Sequence, residues 1–201
     1  MALPTIEDIR RLHKKYAPTE DVYRENWQHS VIVKEIALWC IEQSPSLRIN
    51  VDLVSAGCLL HDIGVYRLFA DGQLDKARYV SHGAIGYEIL KDEGFAESLC
   101  RFAAYHTGVG ISAEEVRDGR LPLPIGDYLA ETEEEKIVMY ADKFHSKFPS
   151  RFQTGEWYCA YLTNKFGKAK AERFMMMRAR YGDPPIEDMA AKYKQPVRLV
   201  Y

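Results

Sequence analysis

The sequence predicts an all-α, single-domain fold, and three observations carry the prediction. Apolar residues recur at helical spacing through most of the chain. Thr5 with Asp8, Ser112 with Glu115 and Thr132 with Glu135 form capping-box patterns ahead of such stretches. No segment shows the alternation of a half-buried strand. With 201 residues, 47% of them hydrophobic, the chain can bury one sizeable core. We read residues 1–201 as one domain, with a core over about 20–150 and a C-terminal helical extension over about 151–201.

Thr5 caps a first short helix. Thr19 or Glu20 starts a long one running to about Gln43, before Pro45. Its apolar stripe is Val22, Val33, Ile36 and Cys40, and His29 falls on that stripe. Asn50 caps the next helix, from Val51 to about His61, which is apolar nearly all round and therefore central; Gly64 ends it. The stretch from Tyr66 to Val80 is weakly periodic and carries the turn pair Asp71-Gly72. Ser81 caps a helix stopped by Gly94. Another covers Ala96 to His106, broken by Gly108 and Gly110. Ser112 opens a short helix, and Leu121 to Gly126 is irregular. Thr132 opens a helix running to about Phe148, with acidic residues in its first turn to suit the helix dipole. A later helix covers roughly Asn164 to Tyr181, and a short final one follows Gly182-Asp183-Pro184-Pro185.

The bulk numbers narrow the function. A formal net charge of -2 argues against bulk nucleic-acid binding. Cys40, Cys58 and Cys100 sit among apolar residues and read as reduced core residues; no CxxC pair occurs. The segment Met1 to Arg11 is too charged for a signal peptide, and no apolar run is long enough for a membrane span. A cytoplasmic protein is expected, and self-association into a homodimer stays open.

The pair His61-Asp62 closes an apolar run, and no Lys or Arg lies within four residues of it. A bare buried carboxylate costs several kcal/mol, so roughly that much must be returned by a partner. A metal cation is the simplest partner. His29, His82, His106 and Asp142 complete a set of nitrogen and oxygen donors suited to Fe, Mn, Co, Ni, Zn or Mg. Six such ligands suffice for two ions, with Asp62 as the bridge. We place His29, His61 and Asp142 on one ion, and His82 and His106 on the other.

Singly, these residues have ordinary alternatives. His29 can be a hydrogen-bonded core histidine, His82 an exposed first-turn residue, and His106 a dipole-favoured helix end. Asp142 is harder to explain away, since Val138, Ala141, Asp142 and His145 share a predicted helix face with Phe148. Lys143 or Lys147 can neutralise it, Lys147 having the better helical spacing. His13 is expected in solvent, and His145 beside the ligands. Met175, Met176 and Met177 are expected in the core or an interface.

In this order and context the residues resemble the HD superfamily of metal-dependent phosphohydrolases. His61-Asp62-Ile63-Gly64 matches the HDIG form of its motif. Ser81-His82-Gly83-Ala84, Tyr105-His106-Thr107-Gly108 and the run from Glu134 to Asp142 match its two-metal subset. The resemblance covers about Trp27 to Phe148 and implies a five-helix core with additions. Within that superfamily the chain resembles symmetrical diadenosine-tetraphosphate hydrolases and uncharacterised HDIG hydrolases. Gly86-Tyr87-Glu88 departs from the Gly-Tyr-Pro of cyclic-di-GMP phosphodiesterases, and Val65 stands where many relatives carry a lysine that aids the leaving group.

The resemblance implies hydrolysis of a nucleotide or other small phosphate by metal-activated hydroxide. Asp62 would bridge the ions and orient the nucleophile, and Lys143, next to Asp142, is the best phosphate contact. Arg67, Arg78, Lys147 and Arg151 are further substrate-binding candidates, and the loop from Gly108 to Ala130 is a candidate pocket wall or lid. Two alternatives have different chemistry: a di-iron oxygenase cleaving a C–C or C–P bond, and a non-catalytic HD interaction module.

Overall fold

The computed structural model describes residues 3–199. The first helices are α1 (Ile6–Tyr16), α2 (Glu20–Glu42) and α3 (Val51–Leu60), followed by α4 (His82–Asp92), α5 (Glu97–Tyr105) and α6 (Ala113–Asp118). Then come α7 (Glu133–Ala141), α8 (Gly155–Phe166), α9 (Lys168–Tyr181) and α10 (Ile186–Tyr193). Local chemistry explains most of the starts. Thr5, Ser112 and Thr132 each close a capping box, and Thr19, Asn50 and Thr154 each accept one backbone N–H with the side chain. Ser81 is different: its hydroxyl donates to the Arg78 carbonyl at 2.6 Å and caps nothing.

Helices α2, α3, α4, α5 and α7 form the bundle, with α3 packed between α2, α5 and α7. Val54, Cys58, Leu59 and Leu60 of α3 are fully buried, as an all-round apolar helix requires. Gly64 follows in a 3₁₀ turn (Ile63–Leu68) that crosses α4. A Cβ at Gly64 would overlap the His82 carbonyl and the Gly86 amide, so the glycine sets how closely the two segments approach. Helix α3 has already ended at Leu60, so this close approach, rather than helix termination, is what the glycine serves.

Three expectations about the extent and type of the elements are corrected. First, the fold contains short strands: β1 (Phe69–Ala70) and β2 (Gln73–Leu74) make a hairpin around Asp71-Gly72. β3 (His145–Lys147) and β4 (Ser150–Gln153) pair antiparallel across a cis Phe148–Pro149 bond, and β5 (Val197–Arg198) joins β4 in parallel. Second, α7 stops at Ala141, not Phe148, and His145 is extended. Proline at 149 disfavours helix at the preceding residue, and the strand pairing takes over. Third, the predicted helix over 164–181 is two helices divided at Gly167, whose φ is +88°.

Helix α9 seals the bundle through aromatic packing: the Phe174 and Tyr140 rings lie 5.5 Å apart, and Tyr140 and Phe144 4.9 Å. Met177 packs against this core, whereas Met175 and Met176 are exposed. His13, expected in solvent, is fully buried, with Nδ1 2.8 Å from Tyr66 Oη and Nε2 2.7 Å from the Leu59 carbonyl. It ties α1 to the bundle. Cys40, Cys58 and Cys100 are free and buried. No helix among the described residues is long and apolar enough to cross a membrane.

Candidate metal centre

Asp62 closes the turn after α3, and both its oxygens are fully buried within a ring of imidazoles. Oδ2 lies 3.0 Å from His29 Nε2 and 3.1 Å from His61 Nε2. Oδ1 lies 3.3 Å from His82 Nε2 and 3.5 Å from His106 Nε2, and has no hydrogen-bond partner. Asp142 Oδ1 completes the first group, 3.0 Å from His29 Nε2 and 3.5 Å from His61 Nε2. Within each group, His29-His61-Asp62-Asp142 and Asp62-His82-His106, the donor atoms lie within 4.8 Å of one another. Asp62 belongs to both. The fold thus brings the six sequence-predicted residues together, in two groups that share Asp62.

Main-chain contacts fix which ring nitrogen carries the proton. His61 Nδ1 donates to the Cys58 carbonyl (2.6 Å), and His82 Nδ1 to that of Tyr79 (2.6 Å). His106 Nδ1 donates to the Ala103 carbonyl (2.8 Å). In the neutral rings each Nε2 therefore presents a lone pair. Yet His82 Nε2 and His106 Nε2 are 2.9 Å apart and both face Asp62 Oδ1. Lone pairs at that spacing repel unless a cation or a proton sits among them, so the donor set fits a divalent ion.

Two buried lysines share the site. Lys143 Nζ contacts Asp142 Oδ2 at 2.5 Å and the His106 carbonyl at 2.9 Å, and Lys147 Nζ contacts Asp62 Oδ2. This reverses the expectation that Lys147 serves Asp142. With α7 ending at Ala141, Lys143 turns to its own neighbour, and β3 carries Lys147 to Asp62. Burial alone would raise the Asp62 carboxyl, but Lys147 and His61 hold it well below the usual carboxylate range. Asp142 is held down likewise, by Lys143 against its burial. Burial would depress His61, yet Asp62 and Asp142 carry it up to about 9. Burial wins at His82, pushed down to about 3, and also lowers His106.

Asp62, His82, His106 and Asp142 of the cluster line a cleft of about 940 Å³. Lys143, Lys147, Lys76, Lys165 and Arg198 line it, with Tyr79, Phe148, Trp157 and Tyr161. Gly108 to Ile111, Glu115 and Leu121 make one wall, so the long loop is a wall. Lys170 of α9 holds that wall by contacting the Gly110 carbonyl and Glu115. Arg67, Arg78 and Arg151 are not among the lining residues. The Arg67 guanidinium lies over the Tyr16 ring at 5.3 Å, because the 3₁₀ turn after Asp62 faces α1 there. Arg78 is exposed, on the turn before α4. Arg151 of β4 does not line the cleft, whereas Arg198, paired with Gln153 across β4 and β5, does. Sequence reasoning missed Arg198, Trp157 and Tyr79. The cation-aromatic spacing in the C-terminal extension is a weak signal, since Trp157 and Arg198 meet only through β5 packing.

Comparison with known proteins gives a consistent fold. A family model described as "HD domain" matches residues 26–147. A tRNA (cytidine(56)-2'-O)-methyltransferase of Picrophilus torridus is 35% identical over 139 residues, covering 66% of this chain and 38% of that protein. An uncharacterized protein of Methanocaldococcus jannaschii is 40% identical over 117 residues, covering 57% of this chain and 63% of that one. The chain thus spans from 38% to 63% of the length of these two relatives. Among solved structures, the HD domain of the L. monocytogenes phosphodiesterase PgpH superposes with a TM-score of 0.55 at 18% identity, covering 92% of this chain and 98% of that one. The same domain in complex with cyclic-di-AMP gives 0.56 at 18% identity, over 96% and 100%. At that identity the likeness is one of fold.

Proposed function

The chain belongs to the HD-domain family, and on that premise we propose that it is a divalent-metal-dependent hydrolase of phosphate esters or anhydrides. The observation that carries the reading is the shared carboxylate: Asp62 belongs to both His/Asp clusters, one on each of its oxygens, and Oδ1 has no hydrogen-bond partner. His29, His61, Asp62 and Asp142 would hold one ion, and His82 and His106 with Asp62 a second. Ions so held supply Lewis acidity and lower the pKa of a water to near neutrality.

The protein's own groups do the rest. Two ammonium groups offset the two carboxylates, and Asp62 and Asp142 favour the charged form of His61, so the site's side chains carry no net negative charge before any cation enters. A cation-loaded site is then strongly positive and selects an anion. Lys143 and Lys147 stand where a bound phosphoryl group would meet them, able to stabilise charge on its equatorial oxygens. This charge balance favours phosphate transfer over the oxygenase alternative.

A nucleotide is the favoured substrate class. The cleft has room beyond the cluster, with cations (Lys76, Lys165, Arg198) and aromatic faces (Tyr79, Trp157) for remote phosphates and a base. That a phosphodiesterase domain of the same fold is described with cyclic-di-AMP supports it. The methyltransferase activity of the Picrophilus relative belongs to a protein of which this chain spans 38%, and is no part of the proposal.

The test is a panel of nucleotides, dinucleotides and simple phosphate esters offered to chelator-stripped protein with Mn, Fe, Co, Ni, Zn or Mg. Metal-dependent release of phosphate or nucleotide, lost in Asp62→Ala, supports the reading. No turnover with any metal, or turnover unchanged in that variant, refutes it.

A further inference from the structure

Gln195 lies between α10 and β5, beyond the residues 26–147 that match the family model. Its side chain nonetheless reaches the metal cluster through one intermediary. Gln195 Oε1 is 2.7 Å from His145 Nε2, and His145 Nδ1 is 2.8 Å from His29 Nδ1. The two imidazoles stack at 5.1 Å, and both are buried. Gln195 Nε2 donates in turn to Gln28 Oε1 at 3.0 Å, one residue before His29.

The direction of each bond follows from the chemistry of the groups. An amide oxygen only accepts, so His145 Nε2 carries its hydrogen. The neutral ring then accepts at Nδ1, and His29 Nδ1 must donate to it. His29 Nε2 is left with a lone pair, aimed at Asp62 Oδ2 and Asp142 Oδ1, each 3.0 Å away. Reversing the Gln195 amide would put its NH2 group on His145 and reverse every bond in the chain. His29 would then carry its hydrogen on Nε2, donate to both carboxylates, and offer no lone pair to a cation. His61, His82 and His106 have their tautomers set by main-chain carbonyls; His29 is set by side chains.

We propose that His145 and Gln195 are positioning residues that hold His29 in its metal-binding tautomer. The C-terminal extension thereby sets the cation affinity of the cluster containing Asp142 and leaves that of the cluster containing His82 alone. The inference rests on the metal-centre reading above. Outer hydrogen bonds of this kind are worth about 10–100-fold in metal affinity.

The experiment is calorimetric titration of the chelator-stripped full chain with Co2+. Wild type is expected to show two sites. His145→Phe, which cannot accept a hydrogen bond, and Gln195→Leu should each weaken one site about 10–100-fold and leave the other unchanged. His145→Gln, which again offers an acceptor to His29, should recover most of the loss. Gln195 is only partly buried, so Gln195→Leu keeps the test open if His145→Phe does not fold. Two wild-type affinities in both variants, or equal weakening of both sites, would overturn the proposal while leaving the metal centre standing. A wild type that takes up no Co2+ would overturn the metal centre and the proposal with it.

Discussion

Lys147, on β3, contacts Oδ2 of Asp62, 85 residues earlier in the chain. The buried carboxylate therefore has a cation of its own on one oxygen, and an orphan on the other. Asp62 pushes the Lys147 pKa up against its burial, so the ammonium is held charged in the absence of metal. On the proposed reading, Lys147 would compete with an ion for Oδ2 and would be free to move onto a phosphate once the ion is bound.

Replacing Lys147 by Met should separate those roles. Metal affinity of the Asp142-containing cluster should rise, since no ammonium competes for Oδ2. The kcat/KM for phosphate release should fall by about 10²-fold, as one charge-stabilising donor is lost. Calorimetric metal titration beside steady-state kinetics checks both; weaker metal binding in Lys147→Met contradicts the competition.

Asp62→Asn keeps the side-chain volume but removes the charge from both clusters. Bound metal should drop to near zero, and phosphate release by at least about 10³-fold. The metal-free variant should also lose about 3–5 kcal/mol in urea unfolding, because Lys147 is left buried without its counter-charge. Stability equal to wild type would mean that the ion pair is not buried as described.

His82→Ala should remove one ion only. The cluster of His29, His61, Asp62 and Asp142 is untouched by it, so elemental analysis should fall from two metals per chain to one. Loss of both would show that the clusters do not bind independently.

The metal-free protein should be acid-labile. Burial pushes His13 down to about 4, and His82 and His145 down to about 3, against 6.5 in an unfolded chain. The folded state stays neutral there while the unfolded state gains protons. Stability is thus complete above pH 6.5 and lost as pH falls below it. The loss is about 1.4 kcal/mol per pH unit for each histidine. His61 acts in the opposite sense, its stabilising proton being lost as pH rises through about 9. Urea unfolding of chelator-stripped protein should show greatest stability near neutrality, and a flat profile from pH 7 to 5 would contradict these burials.

What was legible in the sequence was local. Thr5, Asn50, Ser112 and Thr132 announced helix starts because a cap acts over three residues. The six candidate ligands were legible because four imidazoles and two carboxylates stand in apolar surroundings, His29 on the stripe of α2 and the other five at helix ends. The strands were not, since two to four residues are too few for alternation to register. That loss had a consequence. Reading His145 and Lys147 on a continued helix gave Asp142 the wrong lysine, and only the turn into β3 sends Lys147 to Asp62. Arg67 and Arg78 illustrate the same limit: nearness to the motif along the chain did not aim them at the cleft. Gln195 had no signal at all, being an ordinary amide that meets His145 50 residues away.

The central claim is that Asp62 joins two cation sites. Anomalous diffraction from crystals grown with Mn2+ tests it most directly. The account predicts two peaks about 3.5–4 Å apart, one on each side of the Asp62 carboxylate. A single peak away from Asp62, or none with Lys147 still on Oδ2, would contradict it.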